Sequence, residues 1–229
     1  MLIYQLKDGY RYNSDTIMLY DFALSLKPKG EILEVGAGSG VLGLLLKRDL
    51  KDINLTLMDI QEQNIILCKK NALENGLECK ILHADFSNFK SSKRFDFIVS
   101  NPPFYHDGVI KSKNSHINIS RYASNLSLEI LISNSNSHLK PHGSIIFCYD
   151  AKQIMDVIYV LRKNKFCLTK LKFIHPKSKK SAKIALIEAK KSSKSLCEVL
   201  ESFYLNDDFG YTKEADLIFK NLNLKSQNV

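Results

Sequence analysis

Apolar residues fall in short blocks of two periodicities. "EILEVG" (31–36), "NLTLMDI" (54–60), "CKILHAD" (79–85), "FDFIVS" (95–100) and "SIIFCYD" (144–150) are rich in Ile, Leu, Val and Phe and bounded by turn formers, so each is predicted as a buried strand. Between them, "GVLGLLLKRDL" (40–50), "QEQNIILCKKNALENG" (61–76), "LSLEILISNSNSHL" (126–139) and "AKQIMDVIYVLRKN" (151–164) are predicted helices. In the second helix Ile65, Cys68, Ala72 and Leu73 fall near one face and Gly76 stops it; Lys140-Pro141-His142-Gly143 stops the third. Two further strands, "KFCLTKLKFIH" (165–175) and "SAKIALIEAKK" (181–191), are separated only by a Lys-rich turn, and "EADLIFKNL" (214–222) has helical spacing.

Strands alternating with helices predict an α/β chain: a Rossmann-like, doubly wound, mostly parallel seven-stranded sheet with helices on both faces. The last two strands have no helix between them and predict an antiparallel pair at one edge. Residues 1–29 precede the first strand and are expected to pack as an N-terminal arm. The core is expected over 30–191 and a C-terminal segment over 192–229, with 1–229 forming one domain.

Composition narrows the partners. No apolar run reaches membrane-spanning length and the N-terminus lacks a basic-then-apolar signal pattern, so a cytoplasmic protein is expected. The five cysteines are scattered with no C-x-x-C spacing, which predicts reduced core thiols, and the six histidines show no ligand spacing, so no metal is expected. Net charge is +9, and from Leu161 to Lys194 it is one-signed: Arg162, Lys163, Lys165, Lys170, Lys172, Lys177, Lys179, Lys180, Lys183, Lys190, Lys191 and Lys194 stand against Glu188. Such a run predicts a phosphate-binding face for nucleic acid.

"EVGAGSG" (34–40) joins the first strand to the first helix. Gly36 and Gly38 allow backbone to approach a ligand, and Gly40 allows tight helix–strand packing. The G-x-G-x-G spacing is shorter than the dinucleotide pattern, and no Lys-Ser/Thr follows, which excludes a nucleoside-triphosphate P-loop. Glu34 beside the loop would repel a pyrophosphate and attract a cation such as an amino acid's ammonium group. Asp59, followed by Ile60, ends the second strand, where an acid accepts both hydroxyls of a ribose. Asp85 ends the third, where it can accept from an adenine amino group while Phe86 packs on the ring. Both acids are also good helix caps.

Two prolines after the strand 95–100 forbid its continuation and an immediate helix, so Asn101-Pro102-Pro103-Phe104 is held rigid at a strand's C-terminal end. Taken together, Glu34 to Gly40 (with Ala37 and Ser39), Asp59, Asp85 and Asn101-Pro102-Pro103-Phe104 resemble the class I S-adenosylmethionine-dependent methyltransferases of the N6-adenine type over roughly residues 10–190. "GYRYNSDTIMLYDFA" (9–23), "SRYASNLSLEILI" (120–132) and "FGYTKEADLIF" (209–219) are similar to the bacterial tRNA adenine-N6 methyltransferases that act on the valine tRNA anticodon loop. The resemblance implies S-adenosyl-L-methionine as cofactor, Asp15 and Thr16 among its contacts, and an RNA adenine as substrate.

The chemistry of the proline element fits that reaction. Asn101's side-chain oxygen can accept one N–H of an adenine amino group, Pro102's carbonyl the other, and Phe104 can stack on the base, worth about 1–3 kcal/mol. The polar segment 105–121 follows directly; Lys111, Lys113 and Arg121 are expected to hold phosphates and Tyr105 to line the rim, joined by Lys177, Lys179, Lys180 and Lys183. Tyr10 and Tyr12 are expected to cover the sheet. Phe104 stands where related subfamilies often carry tyrosine, and Ala123 where some relatives carry an acid.

The same element suits a glutamine side chain, as in release-factor glutamine methyltransferases, but only about 30 residues precede the first strand, too few for their helical domain. No segment is large enough for a DNA target-reading domain. A degenerate, non-catalytic RNA-binding scaffold would have an eroded glycine loop, and a dinucleotide oxidoreductase would leave Asn101 to Phe104 idle. Ribosomal RNA stays open beside tRNA. A monomer is the expected form.

Overall fold

Buried side chains alternate along the central strands, and this sorts the apolar residues into two layers, one on each side of a sheet. The computed structural model describes residues 1–9, 11–104 and 126–229. In chain order the elements are β1 (Leu2–Gln5), α1 (Ser14–Ser25), β2 (Gly30–Val35), α2 (Val41–Asp49), β3 (Ile53–Asp59), α3 (Glu62–Glu74), β4 (Lys80–His83) and β5 (Phe95–Ser100). Then come α4 (Leu128–His138), β6 (Leu139–Asp150), a 3-10 turn (Ala151–Gln153), α5 (Ile154–Lys163), β7 (Phe166–Lys177), β8 (Ile184–Lys191), β9 (Glu198–Val199), β10 (Phe203–Asn206), α6 (Lys213–Asn221) and β11 (Lys225–Asn228). Ile32, Leu55, Val99, Ile146 and Leu186 face α1 and α2, while Leu33, Ile98, Ile145, Phe147 and Ile187 face α4 and α5. Both faces of each central strand are covered, which is why these strands read as apolar runs.

The strand order is β10-β7-β8-β6-β5-β2-β3-β4, with β9 also pairing β7. The predicted seven-stranded core is therefore present, and β9 and β10 extend it to nine strands among the described residues. One expectation needs correction. The expected antiparallel pair is present, β7 against β8 on one side of the sheet, but the strand that runs against the rest is not the edge strand: β8 lies between β6 and β7, antiparallel to both. Its Ile184-Ala185-Leu186-Ile187 stretch is wholly buried and needs an interior slot, whereas β7 is half-exposed along most of its length. The helix α4 stops at His138, ahead of Lys140 to Gly143 as expected, and those four residues lie in the first part of β6, where there is a register shift against β5 and His142 is at φ 61°.

The N-terminal arm holds β1 and α1. Asn13 caps α1, its side chain accepting from the amides of Asp15 and Thr16 at 3.0 and 3.3 Å. β1 pairs in parallel with β11 on one side. On its other side two side chains of α3 stand in for a strand. Asn71 exchanges hydrogen bonds with the N–H and C=O of Tyr4 at 2.7 and 3.0 Å, and Asn75 with those of Leu2 at 2.9 and 2.7 Å. This rotates α3 so that Asn64, Cys68 and Asn71 are buried and Leu73, expected on the buried face, is 84 % exposed.

α2 packs onto β2 and β3 through Gly43, whose added Cβ would sit 2.4 Å from Glu34 Oε2 and 2.6 Å from Leu57 Cδ2. Gly43→Ala should therefore destabilise the fold by about 1–3 kcal/mol through overpacking, although alanine is the better helix former by about 1 kcal/mol. Chemical denaturation checks this, and a variant as stable as the parent would contradict it.

Candidate active site

Beyond β2 the backbone turns sharply, with Gly36, Gly38 and Gly40 at φ 70°, 58° and 82°, where L side chains are strained. A Cβ at Gly36 or Gly38 would meet nothing within 4 Å, so these two face open space. At Gly40 it would meet Leu57, Cys68 and Leu44 within 3.3 Å. Gly40 thus has the tight packing expected of it at the start of α2; expected with the cofactor residues as well, it does not line the cleft described below. The loop's amides are largely engaged inside the protein: Ala37 N donates to Met58 O at 2.9 Å, Gly38 N to Asp59 Oδ2 at 2.8 Å and Gly40 N to Ala37 O at 2.8 Å. Asn71 Nδ2, which sequence reasoning missed, donates to Ser39 O at 2.8 Å and so ties the loop to β1.

Three acids meet at this end of the sheet. Glu34 is 3 % exposed, and its Oε2 accepts from Gly43 N at 2.8 Å. Burial, reinforced by the negative charge of Asp59, pushes the Glu34 carboxyl up to about 8, against the pull of the Gly43 amide. Asp59 Oδ1 accepts from Gln61 N at 2.8 Å and Asn64 Nδ2 at 3.1 Å. Asp85 accepts from Ser87 N at 2.8 Å and Asn88 Nδ2 at 2.7 Å. Both aspartates therefore brace the turns after their strands and line the cleft as well.

Asn101, just past β5, is held from two sides. Its Nδ2 donates to Thr16 Oγ1 at 3.0 Å, and its Oδ1 accepts from the Cys148 thiol at 2.9 Å. Cys148 lies on β6, fully buried, and burial with the nearby Asp15 charge pushes its thiol well up, so it stays protonated. Pro102 is buried and Pro103 half-buried. The Phe104 ring lies against Tyr149, centroids 5.8 Å apart, and its carbonyl accepts from Gln153 Nε2 at 3.2 Å. Asp15, in the first turn of α1, is half-buried; burial raises its carboxyl and Lys183 offsets this.

These groups border one cleft of about 970 Å³, its open mouth included. Of the residues expected from sequence, Thr16, Glu34, Gly36, Ala37, Gly38, Ser39, Asp59, Ile60, Asp85, Phe86, Asn101 and Pro103 line it. Asp15, Gly40, Pro102 and Phe104 sit behind or beside the wall. Tyr12, expected to cover the sheet, lines the cleft too, with its hydroxyl 2.7 Å from Ser226 Oγ. Asn64 and Gln61 also line it; the short D-x-Q-x-x-N spacing after β3 was their only signal. Cys148 had none. Among the described residues no group of His, Cys, Asp and Glu is arranged to hold a metal ion.

The lysine run does not form one face. β7 runs parallel to β6 and spans about 36 Å at the usual strand rise, so it carries the two ends of the run to opposite edges of the sheet. Arg162, Lys163, Lys165 and Lys194 lie at the edge remote from the cleft. The turn after β7 lies at the cleft's edge: Ala151 N donates to Lys183 O at 3.0 Å, and Lys183 acts electrostatically on Asp15. Lys179, Lys180 and Lys183 are exposed there, while Lys177 is paired with Asp208 at 2.5 Å. Tyr10, Tyr105, Lys111, Lys113 and Arg121 lie outside the described residues.

The chain is similar in sequence and in fold to known proteins. The family model for the methyltransferase small domain matches residues 16–166. A curated ribosomal RNA small subunit methyltransferase C of Actinobacillus pleuropneumoniae is 39 % identical over 94 residues, covering 41 % of this chain and 28 % of its own length. The chain thus spans little more than a quarter of that relative. A tRNA1(Val) (adenine(37)-N6)-methyltransferase of Vibrio campbellii is 23 % identical over 222 residues, 96 % of this chain and 91 % of that protein. Among solved structures, a predicted O-methyltransferase from Agrobacterium tumefaciens superposes with a TM-score of 0.71 at 15 % identity, covering 94 % of this chain and all of that one. With the family model covering well over half of its length, this chain belongs to the methyltransferase small domain family.

Proposed function

We propose that this chain methylates the exocyclic N6 of an adenine in RNA, with tRNA the favoured substrate and S-adenosyl-L-methionine the methyl donor, acting as a cytoplasmic monomer with residues 1–229 working as one unit. One observation carries the choice of ligand. The described residues lining the cleft include three acids, Glu34, Asp59 and Asp85, and no Lys, Arg or His. The glycine loop, moreover, has turned the amides of Ala37, Gly38 and Gly40 to bonds within the protein. With Glu34 held neutral by burial, the carboxylates of Asp59 and Asp85, with no cation beside them, repel a pyrophosphate and favour a ligand that carries positive charge and no phosphate. S-adenosylmethionine, with an ammonium group, a ribose and an adenine, has that character, and when bound it supplies a methyl group activated by a sulfonium.

The chain's own residues then have distinct tasks. Gly36 and Gly38 leave room for the amino-acid end, and Glu34, neutral until a cation approaches, releases its proton to solvent as the ammonium arrives and pairs with it as the carboxylate. Asp59 accepts from the ribose, and Asp85 with Phe86 takes the adenine. At the other end of the cleft Asn101 Oδ1 and the Pro102 carbonyl accept from the amino group to be methylated, fixing its direction as the nitrogen becomes tetrahedral and positive. Phe104 stacks on the target base. A base in an RNA loop reaches such a pocket at lower cost than one in a duplex, where extrusion costs a few kcal/mol. The Vibrio campbellii relative, similar across nearly the whole chain, supports adenine in tRNA. The higher local identity to the ribosomal RNA enzyme makes ribosomal RNA the second substrate to test.

Incubation with methyl-labelled cofactor and separate tRNA, ribosomal RNA and release-factor pools should label RNA as N6-methyladenosine, whereas label confined to protein would refute the assignment. Asn101→Ala should lower transfer at least 100-fold and leave cofactor affinity within about twofold, as removal of a group acting on the transition state does. A parallel loss of cofactor affinity would make Asn101 architectural. Replacing Lys179, Lys180 and Lys183 with Glu should weaken RNA binding roughly tenfold or more and flatten its salt dependence. The same change at Arg162, Lys165 and Lys194, across the sheet, should cost much less; equal losses would contradict the division of the basic run.

A further inference from the structure

The Asn-Pro-Pro-Phe element touches one short stretch of chain at three points, and none of the three contacts was visible in the sequence. Cys148 at the end of β6 donates to Asn101 Oδ1 at 2.9 Å, the next residue, Tyr149, lies against the Phe104 ring at 5.8 Å, and Gln153 of the following turn donates to the Phe104 carbonyl at 3.2 Å. Consecutive residues of a strand point to opposite faces, so Cys148 belongs to the apolar layer on the α1 side and Tyr149 to the layer on the α4 and α5 side. Asn101 is therefore held from the α1 side of the sheet, while Phe104 packs against both layers and meets Tyr149 on the other side.

We propose that the end of β6 and the turn after it, Cys148 to Gln153, form a brace that sets the orientation of the catalytic amide, with Cys148 its principal positioning residue; the catalytic part of this inference rests on the role assigned to Asn101 above. A side-chain amide can be flipped end for end in its slot, and only one orientation presents oxygen where an amino group must be accepted. The flipped amide would set Nδ2 against sulfur, a poor acceptor, whereas the thiol donating to Oδ1 and Thr16 Oγ1 accepting one N–H satisfy the observed orientation. That uses one lone pair of Oδ1 and one hydrogen of Nδ2, and leaves the second lone pair for the cleft that Asn101 lines. Cys148 itself does not line the cleft and is wholly buried, so it acts through Asn101 and not on a ligand.

The test compares Cys148→Ala, which removes the donor, with Cys148→Ser, which keeps one. In Cys148→Ala the side-chain amide resonances of Asn101, identified by their loss in Asn101→Ala, should shift or broaden, kcat should fall roughly tenfold, and cofactor Kd should stay within about twofold. Cys148→Ser should restore both the resonances and most of kcat. The spectrum requires no substrate, so the two ideas separate. Shifted resonances in a protein whose parent does not methylate adenine would leave the brace standing and remove the adenine reading. Asn101 resonances unchanged in Cys148→Ala, or a serine variant that behaves like the alanine one, would overturn the brace.

Discussion

A buried carboxyl group organises this molecule. Glu34 stands at the end of β2 with almost no contact with water, and the amide of Gly43 in the first turn of α2 is its partner. That bond fixes where α2 begins relative to the sheet. It demands glycine at position 43, since a side chain there would collide with the carboxyl oxygen. It also fixes the span that the connecting loop must cross, and the loop does so through three glycines at positive φ. A buried acid is costly unless it is paired, hydrogen-bonded or neutral, and here burial keeps it protonated well above the ordinary carboxylate range.

The fold then gathers chemistry at one edge. β2, β3 and β5 are mutually parallel, so Glu34, Asp59 and Asn101 all emerge at their C-terminal ends, and Asp85 follows β4 at the same edge. α1 adds Thr16 from above and β6 adds Cys148 from within. The result is a cleft lined by Glu34, Asp59 and Asp85 together with an amide held from two sides.

The legible part of the sequence was the part whose side chains had one job. Strands buried on both faces read as apolar runs, and prolines and glycines marked where they stop, so the sheet, the loop and Asn101 to Phe104 could be placed by inspection. Residues with two jobs left two readings open. Asp59 and Asp85 suggested both caps and ligand groups, and they brace their turns while lining the cleft. Gly40 was read as a packing glycine apart from Gly36 and Gly38, and its surroundings are core side chains. Leu73 was assigned to the buried face of α3 because apolar spacing ignores what Asn71 and Asn75 do with β1. The inner position of β8 and the division of the lysine run are properties of topology, set by which strand takes an interior slot, and no local pattern records them. Cys148 was invisible because a cysteine in a buried strand looks like any small apolar residue until its neighbour across the sheet is known.

The most direct measurement is a crystal structure of the protein with S-adenosylhomocysteine. The ligand should lie along the cleft with its amino-acid end against Gly36 and Gly38, its ribose at Asp59 and its sulfur directed toward Asn101, whose amide keeps its bonds to Thr16 and Cys148. A ligand bound elsewhere, or one whose sulfur points away from an Asn101 side chain turned into the interior, would contradict the account.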